Sequence, residues 1–154
     1  MMGHCFSAPF ADFRGLDSAP RFALVAPPLP GRVVRILDGD TVDFVTNRAP
    51  SIRGMFCFRC RLAGIDAPEL HPPLSLPGRD AEVAAAQRAA RRFGDILGAS
   101  SGMVFASFHG ADKYGRLLVR LFTPSGADIN AMLLSEGLAR PYDGGKKPPA
   151  TSPA

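Results

Sequence analysis

The chain has 154 residues, 46% of them hydrophobic, with a formal net charge of +4 and a sequence pI near 9.3. That length points to one domain with a proper core, and no apolar run is long enough to span a bilayer. Three cysteines, Cys5, Cys57 and Cys60, argue against a disulfide scaffold and lean towards a reducing compartment. Of the 18 basic residues 15 are Arg, whose fork suits phosphate, so an anionic partner is expected; a GC-rich genome produces the same bias.

Residues 1–30 hold scattered Pro, Gly and Ser without a sustained period and read as a flexible arm, with Phe6, Phe10, Phe13 and Phe22 available to dock. No secretory signal is evident, which leaves the compartment open, with an intracellular location expected. If translation starts at Met2, Gly3 and Cys5 fit a dual-acylation pattern that would anchor the chain to a membrane.

From Gly31 to Leu37 the chain is β-rich. Asp38-Gly39-Asp40 reads as a turn in which glycine supplies positive φ, and Thr41 to Val45 alternates as the returning strand. A loop over 46–54 leads to a third strand, Met55 to Ile65. Phe56, Phe58, Cys60 and Leu62 share its core face, while Met55, Cys57, Arg59 and Arg61 share its wet face. The two thiols of Cys57-Phe58-Arg59-Cys60 therefore point opposite ways and are not expected to share a metal.

Pro68 ends this strand, and a proline-rich loop with His71 follows; His71 reads as a solvated loop residue rather than a ligand. Asp80 to Leu97 reads as a helix capped by Asp80, with an apolar stripe of Val83, Ala86, Ala90, Phe93 and Leu97. Met103–Phe108 and Leu117–Phe122 read as strands. Asp128 caps a short helix, Ile129 to Glu136, with Gly137 as its stop. Leu138 to Tyr142 is a short extended piece, and residues 143–154 read as a disordered tail. The fold class is mainly β (α+β): three strands, a helix, two strands and a helix. That is the order of a five-stranded OB-fold Greek-key barrel with one long and one short packed helix.

Taken singly, Asp40, Arg61, Asp66, Glu69 and Arg116 are ordinary turn, strand and loop charges. Jointly they suit phosphodiester hydrolysis. Asp40 and Asp66 are hard oxygen ligands for a divalent cation. Glu69, beyond the Pro68 bend, is placed to take a proton from water. Arg61 and Arg116 can clamp a phosphate and stabilise the charge that grows on its oxygens.

Four segments, Ile36-Leu37-Asp38-Gly39-Asp40-Thr41-Val42, Arg61-Leu62-Ala63-Gly64-Ile65-Asp66-Ala67-Pro68-Glu69, Asp112-Lys113-Tyr114-Gly115-Arg116 and Asn130 to Ala139, resemble in sequence and order the signatures of the staphylococcal-nuclease (thermonuclease) family. The resemblance covers residues 31–142. It implies a Ca²⁺-dependent endonuclease that cuts DNA and RNA with little sequence specificity and leaves 3′-phosphate ends. It further implies Asp40, Asp66 and the Ala67 carbonyl as calcium ligands, with Asp38 supporting them from behind. Arg61 and Arg116 would bind the scissile phosphate, Glu69 would be the general base, and Lys113 and Tyr114 would hold a terminal phosphate. A monomer is expected. Ala67 departs from the family's Thr, the loop between strands two and three is longer, and a Pro-rich tail stands where the type member has a helix. A second reading is a catalytically inactive barrel that binds nucleic acid or a protein partner. The complete set of five charges favours the enzyme.

Overall fold

A computed structural model describes residues 28–47 and 54–144. Residues 1–27 of the expected N-terminal arm with its phenylalanines, the acylation residues Gly3 and Cys5, most of the loop over 46–54 and the tail beyond Gly144 lie outside the described residues. Leu29 and Pro30, expected in the arm, instead belong to the first strand and pair with Ala106 and Phe105.

The elements in order are β1 (Leu29–Asp38), β2 (Thr41–Thr46), β3 (Phe56–Leu62), β4 (Ile65–Asp66), α1 (Arg79–Gly98), β5 (Met103–Ala111), β6 (Leu117–Phe122), α2 (Ile129–Ser135) and β7 (Arg140–Pro141). Five strands close a barrel in the order β1-β2-β3-β6-β5, with β3 and β6 parallel and the other neighbours antiparallel. This is the expected OB-type barrel with one long and one short helix.

Alternation drives closure. Val33, Val42, Phe44, Cys60, Leu62, Val104, Ala106, Val119 and Leu121 all turn inward and are buried. Phe93, Ile96 and Leu97 of α1, with Ile129 and Leu133 of α2, complete the same core. Phe108 meets Phe44 and Phe58 edge-on, at ring separations of 6.2 and 6.5 Å. Gly31 lies where a side chain would fall 2.3 Å from the Phe44 ring, so β1 crosses the core only with glycine there.

Four expectations are corrected. The third strand ends at Leu62, because Gly64 takes a left-handed φ of 78° and makes a turn with Ala63; Ile65 and Asp66 then pair with β7 in a separate two-stranded ribbon. Helix α1 begins at Arg79 from a left-handed Gly78, and Asp80 sits in its first turn without capping it. Its buried stripe runs through Ala86, Ala89, Phe93, Ile96 and Leu97, rotated from the expected one by packing against the barrel. The strand read as Met103–Phe108 continues to Ala111, with a register irregularity after Phe108 that absorbs Gly110. Asp128, by contrast, caps α2 as its sequence implies, accepting from the Ala131 amide at 3.1 Å.

Cys60 is buried and Cys57 exposed, so the two thiols of the C-x-x-C face opposite ways. Burial pushes the Cys60 thiol up to about 12, which leaves it protonated and inert at neutral pH.

Candidate active site

Asp40 sits at the tip of the β1–β2 hairpin, only 4% exposed. Gly39 does not adopt the positive φ expected of it. Its lack of a side chain matters for space: a Cβ there would lie 2.7 Å from the Ala67 Cβ and 3.1 Å from that of Ala89. The hairpin tip therefore packs directly on the start of the loop after β4. The Asp40 carbonyl accepts from the Leu62 amide at 2.7 Å, and its carboxylate accepts from the Thr41 hydroxyl at 2.9 Å and the Ala67 amide at 3.3 Å.

Asp66 ends β4 and is 3% exposed. One guanidinium, that of Arg61, joins the two acids: Nη1 lies 2.8 Å from Asp40 Oδ2 and Nη2 lies 3.1 Å from Asp66 Oδ1. Arg140 holds the other oxygen of Asp66 through Nε at 3.2 Å and Nη2 at 3.0 Å. The sequence reading missed Arg140. Its signal was weak, a lone Arg in a short extended piece, and only the antiparallel Asp66–Arg140 register between β4 and β7 brings it here. The next residues place Tyr142 over Arg61, 5.5 Å from ring centre to guanidinium carbon.

Glu69 is held through its backbone. Its amide donates to Glu82 of α1 at 3.1 Å, and the neighbouring Leu70 amide donates to Asp38 at 3.1 Å. Asp38 thus ties the end of β1 to the Glu69 loop. Burial raises the Asp38 pKa, helped by the nearby Asp40 and Glu69 charges and opposed by the Leu70 and Gly39 amides.

Arg116 comes from the β5–β6 turn, just before the strand that pairs with β3. Asp112 organises the tight β5–β6 turn by accepting from the Tyr114 amide at 2.8 Å and the Arg116 amide at 2.9 Å. The same carboxylate takes Arg116 Nε at 2.6 Å, which leaves Nη1 3.5 Å from the Thr41 hydroxyl. Burial pushes Asp112 up, but the hydrogen bonds from Arg116 and Tyr114 outweigh it and hold the carboxyl below the usual range. Lys113 lies 5.0 Å from the Tyr114 ring centre on the exposed rim. Asn130, a polar residue on the buried face of α2, stitches the floor: its amide group donates to the carbonyls of Ala63 and Val119 and accepts from the Leu121 amide.

All the expected site residues, Asp40, Arg61, Asp66, Ala67, Glu69, Lys113, Tyr114 and Arg116, line a single cleft of about 870 Å³, with Asp38 and Tyr142. His71 stands exposed on its rim.

Asp40 and Asp66 form a donor set of hard, buried oxygens in an open cleft, the type that suits Ca²⁺ or Mg²⁺ rather than a soft metal. Among the described residues no group of three or more His, Cys, Asp or Glu is arranged to hold a metal. A cation here needs a backbone carbonyl, water and substrate oxygens to complete its shell, as hard cations commonly do.

The family model described as staphylococcal nuclease homologue matches residues 59–152. The chain belongs to that family. Its match begins within β3, so the hairpin that carries Asp40 lies upstream of it and joins the site through the fold. A protein named micrococcal nuclease from Shigella flexneri is 34% identical over 120 residues, covering 73% of this chain and 58% of that protein. One named uncharacterized endonuclease from Escherichia coli O157:H7 is 30% identical over 115 residues, covering 73% of this chain and 61% of that one. The Escherichia coli protein named ParB is 31% identical over 122 residues, covering 74% of this chain and 58% of its own length. The chain therefore spans about three fifths of the curated relatives it matches.

Proposed function

We propose that the chain is a nuclease: a Ca²⁺-dependent endonuclease that hydrolyses phosphodiester bonds of DNA and RNA with little sequence specificity and leaves 3′-phosphate ends. The observation that carries this reading is the convergence of Asp40, of Arg61, Asp66 and Glu69, and of Arg116, from three separate stretches of backbone, on one cleft. Family membership and relatives named nucleases support it.

Asp40 and Asp66, with the Ala67 carbonyl, would hold the calcium ion, which when bound supplies positive charge beside the phosphate and a site for water. Arg61 and Arg116, which both line the cleft, act as a clamp that stabilises the charge accumulating on the phosphate oxygens. Glu69 takes the proton of the attacking water. Lys113 and Tyr114 on the rim engage a neighbouring phosphate. Every one of these contacts addresses the backbone, which carries no base identity, so low sequence specificity follows.

Digestion of supercoiled plasmid and of a folded RNA, with calcium and then with chelator, tests the reading. Cleavage that appears with calcium, stops with chelator and leaves 3′-phosphate termini is the expected result. Intact substrates at every calcium level would overturn it in favour of a non-catalytic nucleic-acid-binding barrel.

A further inference from the structure

The outer face of β1, β2 and β3 carries a second set of arginines next to the cleft. On β3, Arg59 shares the outward face with Arg61, two residues or about 6.7 Å along the strand. It stands opposite Asp43 of β2, which stands opposite Arg35 of β1. Asp43 is shared by both: Arg59 Nε reaches one oxygen at 3.1 Å, and Arg35 reaches the other through Nε at 2.9 Å and Nη2 at 2.6 Å. The arginines cover the carboxylate and stay in water themselves, with side chains 62% (Arg35) and 53% (Arg59) exposed. One row further, Arg32 of β1 pairs with Val45 on the same face and is also exposed. Three guanidiniums thus stand on a sheet face against one carboxylate.

A cross-strand charge ladder alone needs one base per acid. The excess is positive, and Asp43 fixes two of the forks in place while leaving Nη groups free. Rigid, outward, partly unsatisfied guanidiniums suit phosphate. The row is also continuous with the site, because Thr41 and Arg61 form the adjacent cross-strand pair and both line the cleft. The outer face of the second and third strands is where OB barrels commonly take oligonucleotides.

We propose that Arg59, Arg35 and Arg32 form a phosphate track on which a single-stranded nucleic acid runs out of the cleft across β3, β2 and β1. The proposal builds on nucleic acid as the ligand of the cleft, and it assigns the path of the flanking strand. A single strand fits because the ladder is a narrow line of charges crossing the strands. Binding then gains with length and is strongly salt-dependent.

The test is fluorescence anisotropy of a labelled oligothymidylate of twelve nucleotides, and of one of three, in chelator so that nothing is cut, over a salt series. For Arg32→Gln/Arg59→Gln the slope of log affinity against log salt should fall by about 1.4, near 0.7 for each lost single-strand contact. The loss should be larger for the twelve-mer than for the three-mer. Asp43→Asn frees two guanidiniums and should act in the opposite direction, with tighter binding and a steeper slope. A misfolded variant cannot produce that gain. Slopes equal to the parent's in both variants would overturn the track. Absence of oligonucleotide binding in the parent at low salt would remove the track, and cleavage by that same parent with calcium would leave the nuclease reading standing. Reduced slopes in a chain that cleaves nothing with calcium would leave the track standing and remove only the hydrolytic reading.

Discussion

Arg61 spans Asp40 and Asp66 with the two ends of one guanidinium, at 2.8 and 3.1 Å. Its positive charge occupies the oxygens that a divalent cation needs. A cation held by Asp40 and Asp66 would have to displace Arg61 from them, towards the cleft where a phosphate would lie. Arg61→Gln removes this competition while Arg140 still holds Asp66. We expect tighter Ca²⁺ binding by calorimetry without nucleotide, together with a turnover at least about tenfold lower, since a clamp on the transition state is lost. Unchanged or weaker calcium binding would show that Arg61 does not compete for these carboxylates.

Glu69 is aimed by backbone bonds to α1 and, through Leu70, to Asp38. Glu69→Gln keeps those bonds and removes only the basic oxygen. Turnover should fall by roughly 10²–10⁴, with the melting temperature held. A rate equal to the parent's would take Glu69 out of proton transfer.

Gly39 and Ala67 meet with no room for a methyl group, at 2.7 Å for a built Cβ. Gly39→Ala should push the hairpin tip off the loop and move Asp40 away from Asp66. A displacement on the order of 1 Å at such a site costs about 10²-fold in rate. Gly39→Ala/Ala67→Gly removes the closest clash and should recover part of that loss; a double variant as slow as the single one would locate the damage elsewhere.

Asp112 has a folded-state pKa below its unfolded value. Its contribution to stability is thus fully present above the ordinary carboxyl pKa, about 3.9, and is lost as pH falls through the depressed value. Asp112→Asn should cost on the order of 1–2 kcal/mol at pH 7, since hydrogen bonds between charged groups are broken. The difference should shrink towards zero as pH drops below 3. Urea midpoints of both proteins from pH 7 to 2.5 measure this, and a gap independent of pH would contradict the assignment.

Cys57 and Cys60 should differ sharply in reactivity. Iodoacetamide at pH 8, followed by peptide mass mapping, should label Cys57 in the folded chain and Cys60 only after denaturation, because Cys60 is buried and its thiol sits near 12. Equal labelling of both in the native state would contradict the inward orientation of Cys60.

Much of the barrel was legible because local rules and tertiary packing agree there. The strands expected over Thr41–Val45 and Leu117–Phe122, and the Asp128 cap, hold in the structure. The misses lie where the signals are non-local or ambiguous. Gly64 breaks an apolar run that reads as one strand, and Gly78 starts a helix that Asp80 was positioned to cap. Asn130 carries no local signal of its role, which comes from the distant Ala63 and Val119 carbonyls that it holds.

The order of strands and helices, the inward set of apolar residues and the charged residues of the cleft are properties of the sequence itself, since periodicity and turn chemistry act over a few neighbours. Their meeting is a property of the closed barrel alone. Asp40, Arg61, Asp66 and Arg116 reach one another only because β2 pairs with β3 and β3 pairs in parallel with β6. Arg140 reaches Asp66 only through a ribbon of two residues on each side. Register across strands depends on hydrogen bonds between residues distant in the chain, and no local pattern encodes it.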